Sequence, residues 1–186
     1  MNTIDSHKRR SLLQGAAAAA ALSVVGCASV GTGAKPRVVV VGGGWGGLGA
    51  VRALAASGKV DITMVEPNDG FMSCPLSILY IAGFAPASDF QRSYGVIDAL
   101  GVRRVKDVVL DIDRAGRMVK TASQSIPYDF LVLATGLEYM EETLPGYAAA
   151  RDQLPVGFRA FEQSAVQRQV ATFLEQGGHY VITVPK

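Results

Sequence analysis

The run Gly42-Gly43-Gly44-Trp45-Gly46-Gly47 constrains this chain more than any other feature. It stands directly behind Arg37-Val38-Val39-Val40-Val41, a β-branched run without alternation, as expected of a strand buried on both faces of a parallel sheet. The spacing Gly42-x-Gly44-x-x-Gly47 is a dinucleotide-binding pattern. Gly42 permits the tight strand-to-helix turn, Gly44 lets backbone approach a pyrophosphate, and Gly47 lets the helix pack close to the sheet. The helix through Leu48, Val51, Leu54 and Ala55 then offers its N-terminal amides to phosphates and ends near Ser57-Gly58. Asp61-Ile62-Thr63-Met64-Val65 is a second strand. It closes on Glu66, 24 positions after Gly42, where an acid accepts hydrogen bonds from ribose hydroxyls and repels a 2′-phosphate.

The rest of the composition agrees with one folded domain and a fraction of another. Of 186 residues, 49% are hydrophobic and 18% charged, enough apolar material for a core and too much for a disordered chain. The net charge of +2 comes from the N-terminus, where Lys8, Arg9 and Arg10 face Asp5 alone; the remainder is balanced. A neutral body without a basic stripe argues against nucleic acid as a partner. The two Cys and two His stand far apart at His7, Cys27, Cys74 and His179, without the paired spacing of a structural zinc site and too few for a disulfide scaffold.

Residues 1–34 read as an export signal. A charged start ending in Arg9-Arg10 precedes Leu12, Leu13 and an apolar, Ala-rich run from Gly15 to Gly26 that is too short to span a bilayer. The paired arginines resemble a twin-arginine signal, with a Sec-type signal as the alternative. That pathway carries folded proteins, which suits a chain that acquires its cofactor in the cytoplasm. Val24-Val25-Gly26-Cys27 resembles a lipoprotein cleavage box with Cys27 as the acylated residue; cleavage near Thr32-Gly33-Ala34 is the alternative. The expected location is the periplasm, either soluble or anchored through Cys27.

A glycine pattern alone serves NAD and FAD equally. The segment Tyr128-Asp129-Phe130-Leu131-Val132-Leu133-Ala134-Thr135-Gly136 is a buried strand ending in a turn. It resembles the second FAD-contact motif of the pyridine nucleotide-disulfide reductase superfamily, which implies Ala134, Thr135 and Gly136 as cofactor neighbours. Between the two motifs, Val105 to Asp113 and Met118 to Thr121, split by Arg114-Ala115-Gly116-Arg117, read as a β-meander crossover. The expected fold is therefore α/β: a Rossmann-like FAD-binding domain over residues 35–150, with parallel sheet and meander. The start of a second dinucleotide-binding-like domain follows over residues 151–186.

After Glu66 comes Pro67-Asn68, and then Cys74-Pro75-Leu76-Ser77. With the glycine turn and the Tyr128–Gly136 strand, these residues resemble the flavoprotein subunit of flavocytochrome c sulfide dehydrogenase, over Val38 to Val184. The resemblance implies that Cys74 anchors FAD as a thioether to the flavin 8α-methyl group. The chemistry is reasonable, because a thiolate adds to that electrophilic carbon and a tether prevents cofactor loss outside the cytoplasm. The alternative is a buried, inert cysteine. Gly70-Phe71-Met72-Ser73 departs from the family in lacking paired aromatics before the cysteine.

Toward the C-terminus, Gly157 to Gln176 carries Phe158, Phe161, Val166, Val170 and Phe173 at amphipathic spacing, and Tyr180-Val181-Ile182-Thr183-Val184 reads as a strand. In the resembling family this strand opens the second domain and precedes one half of a redox-active cysteine pair. Neither half occurs here, so the sequence reads as a truncated copy with a flavin half-site and no complete catalytic site. His179 is read as structural. Arg103, Arg104 and Lys106 are expected on a solvated face, and Glu138, Glu141 and Glu142 in an exposed loop.

The resemblance implies electron transfer from sulfide through FAD to a c-type cytochrome subunit. The alternatives are a sulfide:quinone oxidoreductase, an NADH-dependent disulfide reductase, and a non-catalytic FAD-binding remnant.

Overall fold

A computed structural model describes residues 33–181, which lie almost wholly in the unit Lys35–Lys186. The Arg9-Arg10 pair, the Cys27 box and the last five residues of the expected C-terminal strand region lie outside the described residues.

Strand β1 (Arg37–Val41) is central. On one side it pairs in parallel with β2 (Asp61–Val65), which in turn pairs with β5 (Arg103–Val105). On the other side it pairs in parallel with β9 (Phe130–Leu133), giving the order β5-β2-β1-β9. The chain moves outward from β1 to β2 and β5 and then returns past β1, so strand order reverses at the β1/β9 boundary. Open α/β sheets bind ligands beyond the carboxyl ends of their strands at such a reversal.

The valines of β1 explain the layering. Alternate side chains leave opposite faces of a strand. Val38 and Val40 join Val51 of helix α1 (Trp45–Ser57), Ile62, Met64, and Tyr94 and Ile97 around helix α3 (Gly95–Asp98). Val39 and Val41 join Val65, Val105, Val119, Ile126 and Tyr128 on the other face. That second cluster is built on a three-stranded antiparallel meander, β6 (Val109–Asp113), β7 (Met118–Thr121) and β8 (Ser125–Pro127). The sheet is thus covered by helices on one face and by the meander on the other, which is why β1 needs apolar residues from Val38 to Val41.

A short antiparallel pair, β3 (Gly70–Met72) with β4 (Gln91–Ser93), encloses helix α2 (Ile78–Ile81). Helix α4 (Tyr147–Ala150) and helix α5 (Gln163–Gln176) follow β9, and α5 packs on α2.

Several expectations need correction. Val105 ends the parallel sheet rather than opening the meander, because it pairs with Val65. Helix α5 starts at Gln163 and not at Gly157; turns at Arg159 and Glu162 precede it, and Glu162 accepts the Val156 N–H at 2.6 Å. Tyr180 and Val181 carry no strand assignment, and Ile182 to Val184 of the expected strand lie outside the described residues.

Candidate functional site

The glycine turn is built by close backbone approach. Gly42 has φ +98°, and a Cβ there would collide with the carbonyl of Ala134. A Cβ at Gly47 would strike the Gly42 carbonyl, so α1 packs against the end of β1 only because Gly47 lacks one. Gly44 differs: nothing lies within 4 Å of its Cβ position. It is the N-cap of a 13-residue helix and has no side-chain cap, so the first amides of α1 and their positive dipole end face open space. That combination fits a pyrophosphate.

Glu66 closes the other side. Its Oε2 accepts the Gly43 N–H at 2.8 Å, and its Oε1 accepts the Asn68 backbone N–H at 3.0 Å and Nδ2 at 2.7 Å. The carboxylate is thus fixed beside the turn with lone pairs remaining for ribose hydroxyls. Sequence reasoning missed the support beneath it. Tyr94 is 1% exposed, and a Cβ on Gly43 would sit 2.7 Å from Tyr94 Cζ and 2.8 Å from Glu66 Cγ. Tyr94 stacks on Phe71 with centroids 6.4 Å apart, and the Arg104 guanidinium lies 5.5 Å from its ring centre. Burial, with the nearby Glu66 charge, pushes its phenol pKa up to about 12. Its hydroxyl has no hydrogen-bond partner among the described residues.

Ala134, Thr135 and Gly136 follow directly on β9. The Ala134 N–H donates to Val41 O at 2.8 Å, bringing the end of β9 against the glycine turn, and Gly136 has φ +81°. Trp45, at the start of α1, donates its indole N–H to Ser73 Oγ at 3.2 Å and meets Phe71 edge-on at 5.6 Å. The turn is thereby joined to the loop that carries Cys74. The Cys74 thiol is half-buried, donates to the Phe158 carbonyl at 3.2 Å, and is pushed up in pKa by burial. Gln163, assigned no role from sequence, is fully buried against this loop.

The charged residues are more engaged than expected. Arg104 pairs with Asp98, Lys106 with Asp69, and Arg103 with Gln124 Oε1. Arg159, 7% exposed, pairs with Glu138, Glu141 and Glu162, and Arg151 with Glu141 and Glu162. Glu141 is therefore a partner of a buried arginine, whereas Glu138 stays exposed as expected and reaches Arg159 only at 3.5 Å. Burial pushes the Glu162 carboxyl up, but the Val156 N–H it accepts, together with the Arg159 guanidinium, holds it below its usual range.

A cleft of about 590 Å³ opens at the amino ends of the strands, between Arg37, Asp61, Thr63 and Arg103. It lies at the wrong end of a parallel sheet for the glycine turn. Among the described residues no group of three His, Cys, Asp or Glu side chains is placed to hold a metal ion, and no helix is long and apolar enough to cross a membrane.

Comparison with known proteins agrees with this geometry. Residues 36–171 match the pyridine nucleotide-disulphide oxidoreductase family. The mitochondrial sulfide:quinone oxidoreductase of Dictyostelium discoideum is 33% identical over 113 residues, covering 59% of this chain and 25% of that protein. The sulfide dehydrogenase (flavocytochrome c) flavoprotein chain of Chlorobaculum thiosulfatiphilum is 45% identical over 42 residues, covering 22% of this chain and 88% of that sequence. The solved sulfide:quinone oxidoreductase of Aquifex aeolicus superposes with a TM-score of 0.65 at 22% identity, over 76% of this chain and 33% of its own. The chain spans about a quarter of the Dictyostelium relative's length. With a parallel sheet, a glycine turn open at Gly44 and a match over residues 36–171, the chain belongs to the pyridine nucleotide-disulphide oxidoreductase family, which implies FAD as its cofactor.

Proposed function

We propose that this chain supplies the FAD-binding part of a sulfide-oxidising flavoprotein that passes electrons to a c-type cytochrome. Residues 35–150 form the FAD-binding domain in this reading, and residues 151–186 begin a second dinucleotide-binding-like domain. The amides at Gly44 and the start of α1 hold the pyrophosphate, Glu66 the adenosine ribose, and the Ala134-Thr135-Gly136 turn closes over the cofactor. FAD, when bound, takes an electron pair from the reduced substrate and releases it to an acceptor. Cys74 is the covalent anchor. The observation that carries the reading is the position of Cys74 in a loop fastened to the glycine turn through Trp45 and Ser73, and the similarity to a sulfide dehydrogenase flavoprotein chain supports it. In this reading the sulfur is taken by a redox cysteine pair distinct from Cys74.

Export by the twin-arginine route through residues 1–34, with Cys27 as a lipid attachment point, completes the proposal. Arg9→Lys with Arg10→Lys in a reporter fusion should abolish transport; unchanged export would refute it.

The similarity to sulfide:quinone oxidoreductases favours a second reading, with quinone as acceptor. One experiment separates the two. The full-length polypeptide is given sulfide and either cytochrome c or a soluble quinone, and its flavin is assayed after acid denaturation. Flavin that stays on the polypeptide, with cytochrome reduction, supports the dehydrogenase; released flavin with quinone reduction supports the alternative.

A further inference from the structure

Gln163 opens helix α5 and is 0% exposed. Its amide Nε2 donates to Ser77 Oγ at 2.8 Å and also faces Cys74 Sγ at 3.6 Å. Ser77 Oγ in turn donates to the Cys74 carbonyl at 2.8 Å. One amide therefore reaches Cys74 at both ends, directly at sulfur and through Ser77 at the backbone. The opposite end of that amide, Oε1, is buried without a partner among the described residues. A buried acceptor left unpaired is costly and rare in native structures, and here it sits beside a thiol the fold has taken care to orient. The cluster is complete toward the protein and incomplete toward a ligand.

We propose that Gln163 is the positioning residue for Cys74, holding its sulfur as a thiolate directed to bond formation with the flavin; this rests on the tether reading above. Burial raises the thiol pKa, and the Phe158 carbonyl, which accepts the S–H at 3.2 Å, also favours the neutral form; the amide N–H at sulfur opposes both by favouring the charged form. A glutamine does so without titrating itself. In the step served, Cys74 sulfur forms a carbon–sulfur bond to the 8α-methyl carbon as one carbon–hydrogen bond there breaks. The thiol and methyl hydrogens end on the ring system as two electrons and two protons. Dissolved dioxygen then removes both pairs as hydrogen peroxide.

The test uses full-length protein prepared flavin-free from a riboflavin-starved auxotroph. Iodoacetamide labelling of the Cys74 peptide, followed by mass spectrometry across pH 6 to 10, reads the thiol directly. Covalent incorporation of added FAD is timed in parallel. Gln163→Met keeps length and removes the amide. It should move the labelling midpoint upward and slow both labelling at pH 8 and FAD attachment by about three- to tenfold, the equivalent of half to one pKa unit. A purely structural role predicts the opposite, since loosening α5 exposes the thiol and speeds labelling; faster or unchanged labelling overturns the proposal. Ser77→Ala, which leaves α5 intact, should slow attachment as well and serves if Gln163→Met does not fold; attachment unchanged in Ser77→Ala also counts against it. Wild-type protein that binds FAD and never attaches it refutes the tether reading instead, a result distinct from attachment that is indifferent to Gln163.

Discussion

The backbone N–H of Gly43 donates to Glu66 Oε2 at 2.8 Å, joining the glycine turn to the end of the second strand across 23 residues. The acid is thus held by the same turn that faces the pyrophosphate, and pyrophosphate and ribose contacts share one support. Replacing Glu66 with Ala removes a charged acceptor and this brace together. FAD affinity should fall by ~1.5–3 kcal/mol, the usual worth of a hydrogen bond to a charged group, as measured by flavin fluorescence titration.

Gly44 and Gly47 should respond to substitution in different ways. Open space surrounds the Gly44 Cβ position, so Gly44→Val should leave the melting temperature of the flavin-free protein nearly unchanged and abolish flavin binding. Gly47→Ala drives a Cβ into the Gly42 carbonyl and should destabilise the protein itself, by roughly 1–3 kcal/mol as overpacking usually does. Thermal melts of both variants with and without FAD separate the effects. Equal flavin content in Gly44→Val and wild type would sink the assignment of the turn.

Tyr94→Phe keeps the stack on Phe71 and deletes a hydroxyl that is buried without a partner. The flavin-free protein should gain about 1 kcal/mol from losing an unsatisfied group, a rise of roughly 2–4 °C in melting temperature. The wild-type phenol also makes a pH prediction. Its folded pKa of about 12 lies above the unfolded value of 10.0, so the unfolded chain ionises first. Stability should fall as pH rises from 10 toward 12, and Tyr94→Phe should flatten that decline in alkaline denaturation curves.

Asp129 accepts three hydrogen bonds from Arg37: the backbone N–H at 2.8 Å, Nε at 3.1 Å and Nη2 at 2.9 Å. The guanidinium holds the Asp129 carboxyl at about 2, below its usual range. A depressed folded pKa contributes stability above the unfolded value and loses it on acidification, here from about pH 4 down to about 2. Asp129→Asn should flatten acid unfolding over that window. The pair is exposed, so raising salt should weaken the effect.

The glycine turn, the two strands flanking it and the acid were legible in the sequence because each imposes a local demand: Gly42 a positive φ, β1 an unbroken apolar run, Glu66 a place at a strand end. Tyr94 and Gln163 escaped notice because their roles are created by distant contacts, Tyr94 under Gly43 and Gln163 against Ser77, which is 86 residues away. The opposite error occurred at Tyr180 and Val181. Their β-branched and aromatic character favours a strand, yet a strand also needs a neighbour's N–H and C=O groups, and among the described residues none is paired with them. Arg159 shows a third case. A lone arginine between Phe158 and Ala160 carries no pattern, and its burial with Glu138, Glu141 and Glu162 emerges only when the segments after β9 fold back together.

The pairing of β1 with β9 sets a schedule for the growing polypeptide. Gly42 waits for Ala134 to wall its turn, and at ordinary synthesis rates that wait is roughly 5–20 seconds. For that interval one edge of the central strand is bare, with Val38 to Val41 displayed to any extended chain nearby. Cofactor capture is correspondingly late, because the phosphate turn is lined on one side only until β9 arrives. A ribosome paused before residue 130 would release a sheet that can neither hold its ligand nor shield its most apolar strand.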